Sequence, residues 1–200
     1  VYSKHGCDGI LAHIFSKIGV TSRTFIEIGV EDGRECNTAN LSLNFGWKGL
    51  MIDANEEWIK SARNFFKERL GSRSGNVKMT TCLVTAENIN QLFSNKGFKN
   101  DLDILSIDID GNDYWVWRAI NTINPRVVVI EYNAAFGHHS ITIKYDPEHR
   151  YKPRQGHPLY FGVSLIALSK LAKEKGYILV SCDSHGHDAF LRLSASFGLR

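Results

Sequence analysis

Apolar and polar positions follow two different periods along the chain. Short apolar runs of strand length alternate with longer stretches in which apolar residues recur every three or four positions, as in 8–18. The short runs fit β-strands and the longer stretches fit amphipathic helices. Strands that alternate with helices are typical of β-α-β units, so we expect an α/β protein built on a mostly parallel sheet.

The individual elements can be placed from these periods and from the glycine and proline positions that interrupt them. Helices are predicted over 8–18, from 37 or 38 onward, and over 56–70, 86–93, 114–120 and 163–175. Strands are predicted over 24–28, 49–53, 77–84, 102–107, 126–131, 177–181 and 189–193. Between the fifth strand and the last helix lies a long irregular segment, 133–160. Loops of this length are usually functional or mobile.

Composition narrows the class of protein. The chain has 200 residues, of which 43% are hydrophobic and 22% charged, so we expect one folded domain spanning 1–200. The net charge of +3 is too small to indicate a nucleic-acid partner, and no apolar run reaches the ~20 residues that span a bilayer. The four cysteines form no C-x-x-C pair, which favours a cytoplasmic location.

The most informative motif is the turn that follows the first strand. Gly29 and Gly33 flank Glu31 and Asp32 there, and glycines let the backbone approach a ligand closely at the carboxyl end of a strand. The spacing is not the G-x-G-x-x-G of dinucleotide sites, and two acids would repel a pyrophosphate. A cationic or zwitterionic ligand fits this turn better.

An acidic residue ends the second strand. Asp53 follows Gly33 by about 20 residues, where a carboxylate can accept hydrogen bonds from two ribose hydroxyls. Each of these features also has a purely structural interpretation. A glycine after a strand can serve a tight turn, and an aspartate there can cap a helix.

Taken together, these motifs resemble the class I S-adenosylmethionine-dependent methyltransferases. The resemblance extends over nearly the whole chain and is closest to the FkbM-like branch. The segments that carry it are Asp8-Gly9, 27–33, Asn37-Thr38, 46–50, 108–113 and 162–165. The chain departs from the branch at Cys7, where an acidic residue is usual.

The resemblance implies a Rossmann-like, seven-stranded sheet that is mostly parallel, has an antiparallel last strand and carries helices on both faces. It also implies transfer of a methyl group from S-adenosylmethionine to a hydroxyl of a sugar, glycan or small natural product, and it allows a homo-oligomer. Glu27 and Gly29 would hold the methionine end of the cofactor and Asp53 its ribose. Thr85, Ala86 and Glu87 would hold the adenine.

A second group of acids follows the fourth and fifth strands. Asp108, Asp110 and Asp113 come after one buried run and Glu131 ends the next. If the strands are neighbours, Asp108 and Glu131 can hold Mg²⁺ or take a proton from an acceptor hydroxyl. Asp108 also lies where open α/β sheets bind ligands. Alternatively, Asp113 or Asn112 caps the following helix and Asp110 is simply solvated.

Histidines form a third group. His138 lies in the long segment just after Glu131, and an imidazole is a natural general base near neutral pH. Cys182, His185 and His187 contain enough ligand atoms for zinc but lack the paired spacing of structural zinc sites. Alternatively, these histidines are loop residues with no catalytic or metal-binding role.

Three functions are compatible with the sequence. The first is an S-adenosylmethionine-dependent O-methyltransferase in which Asp108, Glu131 and His138 act on the acceptor. Ile130-Glu-Tyr-Asn133, in place of an Asn-Pro-Pro-aromatic motif, favours an oxygen acceptor. The second is a non-catalytic cofactor-binding or scaffold protein with the same fold. The third, a nicotinamide-dependent oxidoreductase, is disfavoured by the missing G-x-G-x-x-G.

Overall fold

The structure is a computed structural model that describes residues 2–98, 102–149 and 159–194. Its α-helices are α1 (Cys7–Ile18), α2 (Ala39–Phe45), α3 (Glu56–Leu70), α4 (Ile89–Asn95), α5 (Asp113–Ala119) and α6 (Leu165–Glu174). Its strands are β1 (Thr24–Ile28), β2 (Lys48–Asp53), β3 (Val77–Thr81), β4 (Ile104–Ile107), β5 (Val127–Glu131), β6 (Tyr177–Cys182) and β7 (Asp188–Leu193). Within the described residues, no helix combines the length and apolar character needed to cross a membrane.

The strands form one seven-stranded sheet in the order β3-β2-β1-β4-β5-β7-β6. All pairs from β3 to β5 are parallel, whereas β7 runs antiparallel to both β5 and β6. This confirms the expected seven-stranded, mostly parallel sheet with an antiparallel last strand. The strand order reverses between β1 and β4, and open α/β sheets bind ligands beyond the carboxyl ends of the strands at such a point.

Helices cover both faces of the sheet because successive strand residues point to opposite sides. Phe25 packs with α1, α2 and α3, whereas Ile26 packs with α4, α5 and α6. In β5, Val127 and Val129 face the first layer, and Val128 and Ile130 face the second. Burial on both faces explains why β5 is a continuous apolar run rather than an alternating one.

The prediction that β3 reaches residue 84 is wrong. Its ladder with β2 ends at Thr81, and helix α4 begins at Ile89 rather than at residue 86. The Asn88 side chain accepts a hydrogen bond from the backbone N–H of Thr85 at 2.9 Å and donates one to the carbonyl of Leu83 at 2.8 Å. These bonds close a turn where the sequence pattern predicted strand and helix.

Asp103 joins several elements at the edge of the sheet where the strands begin. Its carboxylate is fully buried and accepts backbone N–H bonds from Thr21, Ser22 and Arg23 at 2.8 to 3.2 Å. It also pairs with the Arg126 guanidinium at 3.0 Å. Burial alone would raise the pKa of Asp103, but the hydrogen bonds from Arg126 and Thr21 outweigh burial and lower it.

The described part of the long segment is tied to the helical layer that contains α5. The Trp115 indole donates to the carbonyl of Ile143 at 2.9 Å, and the Asn112 amide donates to the carbonyl of Asp146 at 2.6 Å. Thr142 forms a β-bridge with Val163. Residues 150–158 of the predicted insertion 133–160 lie outside the described residues. Residues 143–146 lie alongside α5 and the loop that precedes it.

The N-terminus of α3 is stabilised by a side-chain cap. Asn55 accepts hydrogen bonds from the backbone N–H groups of Glu57 and Trp58 at 2.9 and 3.3 Å. Asn55→Ala is expected to lower the free energy of unfolding by about 1 kcal/mol, since two N–H groups lose their acceptor. Urea unfolding would measure this loss. Asn44→Ala, at an exposed position of α2, is the control and should change stability by less than about 0.5 kcal/mol.

Candidate active site

A cleft of about 1080 Å³ opens at the carboxyl ends of β1, β2, β4 and β5. It brings together seven site residues named from the sequence: Glu27, Gly29, Glu31, Asp53, Asp108, Asp110 and Glu131. The other predicted site residues, Gly33, Thr85, Ala86, Glu87 and His138, do not line this cleft. Residues from four separate parts of the sequence thus share one edge of the sheet.

Gly29 lies where the loops after β1 and β4 meet. Its φ is +83°, and a Cβ added there would lie 1.5 Å from the backbone carbonyl oxygen of Asp108. Its N–H donates to the carbonyl of Ile52 at 2.8 Å, which also fixes the loop to β2. Only glycine fits between these two backbones.

Glu27 is buried and supports the loop that leads to α2. Its carboxylate accepts the backbone N–H groups of Asn37 at 2.8 Å and Thr38 at 3.0 Å, and the Thr38 hydroxyl as well. Burial raises the pKa of Glu27, although these hydrogen bonds oppose the shift. Glu27 therefore holds the loop before α2 in position at the cleft wall. Its contact with the cofactor stays a prediction.

Asp53 holds the glycine loop against the end of β2. One carboxylate oxygen accepts the backbone N–H of Glu31 at 2.9 Å, and the other accepts that of Asn55 at 2.8 Å. Glu31 has a φ of +46°, so the loop is tightly turned at this point. Each carboxylate oxygen has two lone pairs, so it can accept a second hydrogen bond. Asp53 can therefore bind two hydroxyls without losing these loop contacts.

The predicted adenine residues lie outside the cleft lining because the chain turns earlier than the sequence suggested. The N–H of Ala86 donates to the Tyr145 hydroxyl at 3.1 Å, and that hydroxyl donates to Glu87 at 2.6 Å. Their place at the cleft is taken by Cys82, Leu83 and Val84, opposite Trp58 from α3. This apolar wall suits a flat aromatic ring. The assignment of the adenine to Thr85, Ala86 and Glu87 stays a prediction.

Gly33 also lies away from the cleft. A Cβ there would come within 3.1 Å of both Ala62 and Phe66 of α3. Its φ of +79° and the lack of a side chain let the loop pack directly on that helix. Gly33 therefore supports the loop by packing on α3, on the side of the loop away from the cleft.

Asp108, Asp110 and Glu131 form the acidic part of the cleft. One carboxylate oxygen from each lies within 4.8 Å of the others. The adjacent strands β4 and β5 explain how the sequence brings Asp108 and Glu131 together. Burial and the nearby Asp188 and Asp113 raise the pKa of Asp108, and burial and Asp108 raise the pKa of Glu131. The cluster therefore favours binding of a proton or a cation.

Asp113 shapes the loop that carries two of these acids. Its buried carboxylate accepts the N–H groups of Ile109 at 2.8 Å and Gly111 at 2.9 Å, which curls the chain over 109–113. Asp110 takes a φ of +54° within this curl. The alternative that Asp113 or Asn112 caps α5 through its side chain is wrong, because neither side chain bonds to the helix N-terminus. Burial raises the pKa of Asp113 to about 7.

The prediction that His138 acts at the acid cluster is not supported by its position. His138 is exposed and follows a 3₁₀ turn, Ala134–Phe136, and a glycine with positive φ, which together place it outside the cleft lining. His149 from the same long segment does line the cleft. A Cβ added to Gly111 would lie 2.3 Å from the His149 ring, so a side chain at this position would displace the imidazole.

Two further histidines reach the cleft from the ends of the described chain. The His5 ring stacks on His187 with centroids 4.7 Å apart, and it contacts the His185 ring at 4.2 Å. His5 and His187 line the cleft, but no local spacing in the sequence links them. For the residues that the structure describes, Asp108, Asp110 and Glu131 are the only set with metal-binding geometry, and Cys182, His185 and His187, which the sequence disfavoured as a zinc site, do not form one.

Comparison of the fold with known proteins gives a consistent result. No protein-family model matches the chain, and no curated protein matches it. Among solved structures, the methyltransferase domain of bacterial CtHen1-C has a TM-score of 0.59 at 15% identity, covering 96% of this chain and 98% of that one. The chain has a class I methyltransferase fold. The Rossmann-like architecture expected from the sequence is thereby confirmed.

Two other methyltransferase structures share this fold. The O-methyltransferase from Bacillus cereus, in complex with S-adenosylhomocysteine, has a TM-score of 0.54 at 20% identity and covers 94% of this chain and 80% of that one. Magnesium protoporphyrin IX methyltransferase from Synechocystis, with bound S-adenosylmethionine, has a TM-score of 0.57 at 11% identity. It covers 92% of this chain and 76% of its own. At these identities the likeness concerns the fold.

Proposed function

We propose that the chain is an S-adenosylmethionine-dependent O-methyltransferase that acts on a hydroxyl of a sugar, glycan or small natural product. The observation that carries this is one cleft, at the switch point of a methyltransferase fold, that joins Gly29 and Asp53 to the half-buried Asp108 and the buried Glu131. The sequence resemblance to the FkbM-like branch supports the class of acceptor. A cytoplasmic, single-domain enzyme is part of the same proposal.

We assign the ribose and the adenine of the cofactor to different groups of cleft residues. The Asp53 carboxylate is placed for the ribose hydroxyls, and the wall of Leu83, Val84 and Trp58 suits the adenine. S-adenosylmethionine, when bound, supplies a methyl group on a positively charged sulfur. Glu31 and Asp32 also line the cleft, but Lys4 lies within 4.0 Å of Glu31 and Arg34 pairs with Asp32, so these two acids add little net charge to it.

We expect Asp108, after β4, and Glu131, at the end of β5, to bind and deprotonate the acceptor hydroxyl. A hydroxyl that enters beside Asp108 and Glu131 finds a carboxylate that can accept its proton, and burial increases the basicity of that carboxylate when it is ionised. Much of the expected rate enhancement comes from alignment of the two reactants in one cleft. Asp108 and Glu131 thus take the role that the sequence also assigned to His138.

Calorimetric titration with S-adenosylmethionine, S-adenosylhomocysteine and NAD⁺ tests the cofactor. We expect micromolar binding of both sulfur compounds and none of NAD⁺. Asp53→Ala should weaken binding about a hundredfold, since two hydroxyl bonds to a charged group are worth about 1.5 kcal/mol or more each. Glu57→Gln, an exposed acid on α3 away from the cleft, is the control and should bind like the wild type.

The outcomes separate the competing functions. If the folded wild-type protein binds neither sulfur compound, the proposed function is wrong. Binding of NAD⁺ alone would favour a nicotinamide-dependent enzyme. If both sulfur compounds bind but radiolabelled methyl groups reach no acceptor in a panel of sugars, glycans and hydroxylated natural products, the scaffold alternative is favoured over the enzyme.

A further inference from the structure

The acid cluster of Asp108, Asp110 and Glu131 concentrates negative charge that the nearby Lys4 and His149 offset only in part. Their oxygens lie within 4.8 Å of one another, and Asp113 and Asp188 add to the negative potential at Asp108. Lys4 also lines the cleft, but its ammonium comes within 4.0 Å of Glu31. Like charges this close repel strongly unless a proton or cation lies between them.

Glu131 supplies a second, independent observation. The residue is only 7% exposed, and its Oε2 atom is buried without a hydrogen-bond partner among the described residues. Buried polar atoms are rarely left unpaired, and leaving one so costs about 1–3 kcal/mol. Since a Glu131 oxygen also belongs to the 4.8 Å group, this carboxylate is directed toward the other two acids.

The loop after β4 holds its two acids in place before any ligand arrives. Asp113 fixes the backbone through Ile109 and Gly111, and Asp110 is held at a φ of +54°. Glu131 is fixed separately by the pairing of β5 with β4 and β7. Three carboxylates on rigid supports form a set of hard oxygen ligands, which Mg²⁺ and Mn²⁺ prefer.

We propose that Asp108, Asp110 and Glu131 bind one divalent cation, Mg²⁺ or Mn²⁺, at the acceptor side of the cleft. Three carboxylates leave part of an octahedral coordination shell open. The open positions face the cleft, where oxygen atoms of water or of a hydroxyl acceptor complete the shell. Binding of the ion does not depend on the proposed methyl transfer.

Titration of the metal-free protein with Mn²⁺, followed by electron paramagnetic resonance, tests the site directly. One Mn²⁺ should bind per chain, and Mg²⁺ should displace it. Asp110→Asn and Glu131→Gln should each weaken Mn²⁺ binding at least tenfold, because each removes a charged ligand. Glu57→Gln, which removes an exposed acid outside the cleft, is the matched control and should leave binding unchanged.

Thermal unfolding gives a readout that does not rely on activity. Mg²⁺ should raise the melting temperature of the wild type, and Glu131→Gln should abolish this rise because it removes a charged ligand. Asp110 is exposed, so Asp110→Asn keeps the test valid if the buried variant fails to fold. Wild-type protein that binds no Mn²⁺ at about 1 mM would overturn the site.

The same test separates failure of the metal site from failure of the proposed function. S-adenosylmethionine binding should persist in EDTA, because Gly29 and Asp53 lie outside the acid cluster. Protein that binds S-adenosylmethionine but not Mn²⁺ overturns the metal site alone. Protein that binds Mn²⁺ but neither sulfur compound keeps the metal site and overturns the methyltransferase proposal.

Discussion

Gly29→Ala is expected to lower the free energy of unfolding by at least ~4 kcal/mol and to abolish cofactor binding. The added Cβ would lie 1.5 Å from the Asp108 carbonyl oxygen, so the loops after β1 and β4 would have to separate. The φ of +83° adds a conformational penalty for any side chain. Urea unfolding followed by circular dichroism measures the stability change.

Gly9→Ala is the matched control for this substitution. Gly9 lies in the exposed first turns of α1, and a Cβ there meets no atom within 4 Å. Alanine should therefore stabilise the helix by about 0.5 kcal/mol. If Gly29→Ala unfolds within about 1 kcal/mol of the wild type, the close approach of the two loops is not present in solution.

Asp103→Asn is expected to cost about 3 kcal/mol or more at neutral pH. The substitution leaves Arg126 without its carboxylate, and it replaces one of the two oxygens that accept the N–H groups of Thr21, Ser22 and Arg23 by an NH₂ donor. Because Asp103 is fully buried, water cannot replace the lost bonds without rearrangement. Chemical unfolding at pH 7 measures the loss, and Glu57→Gln should change stability by less than about 0.5 kcal/mol.

The same residue predicts a pH dependence with a definite sign. The folded-state pKa of Asp103 is lowered, because hydrogen bonds from Arg126 and Thr21 outweigh burial. Its stabilising contribution is therefore complete above the unfolded pKa of about 4 and is lost as the pH falls through the folded value. Between about pH 5 and pH 2, wild-type stability should fall more steeply than that of Asp103→Asn. Equal slopes would contradict this role for Asp103.

Local sequence patterns were sufficient for the central part of the fold and of the site. The bounds of β1 and α3 follow directly from strand alternation and helical spacing. Gly29 and Asp53 were identified for the same reason, since their roles depend on a strand end and a turn that are encoded locally. Asp108 and Glu131 needed only the added assumption that β4 and β5 are neighbours, which is confirmed.

The remaining differences between prediction and structure have both local and long-range causes. The end of β3 depends on the Asn88 turn, so the predicted adenine residues fall beyond the cleft. His138 was chosen for its closeness to Glu131 along the chain, yet a 3₁₀ turn separates the two. His5 and His187 meet only because β7 pairs with β5, and no local pattern records that pairing.

The place of β7 in the sheet has a consequence for the order of folding. Asp188 begins β7 and lies opposite Glu131 in the antiparallel ladder with β5. Its side chain accepts a hydrogen bond from the Cys7 thiol at 3.3 Å. The earliest and latest described parts of the polypeptide therefore meet beside the acids of the cleft. During synthesis, the ribosome releases this strand long after β1, β2 and β4 can pair. Ligand binding should consequently appear only in the final stage of folding, after the rest of the sheet has formed.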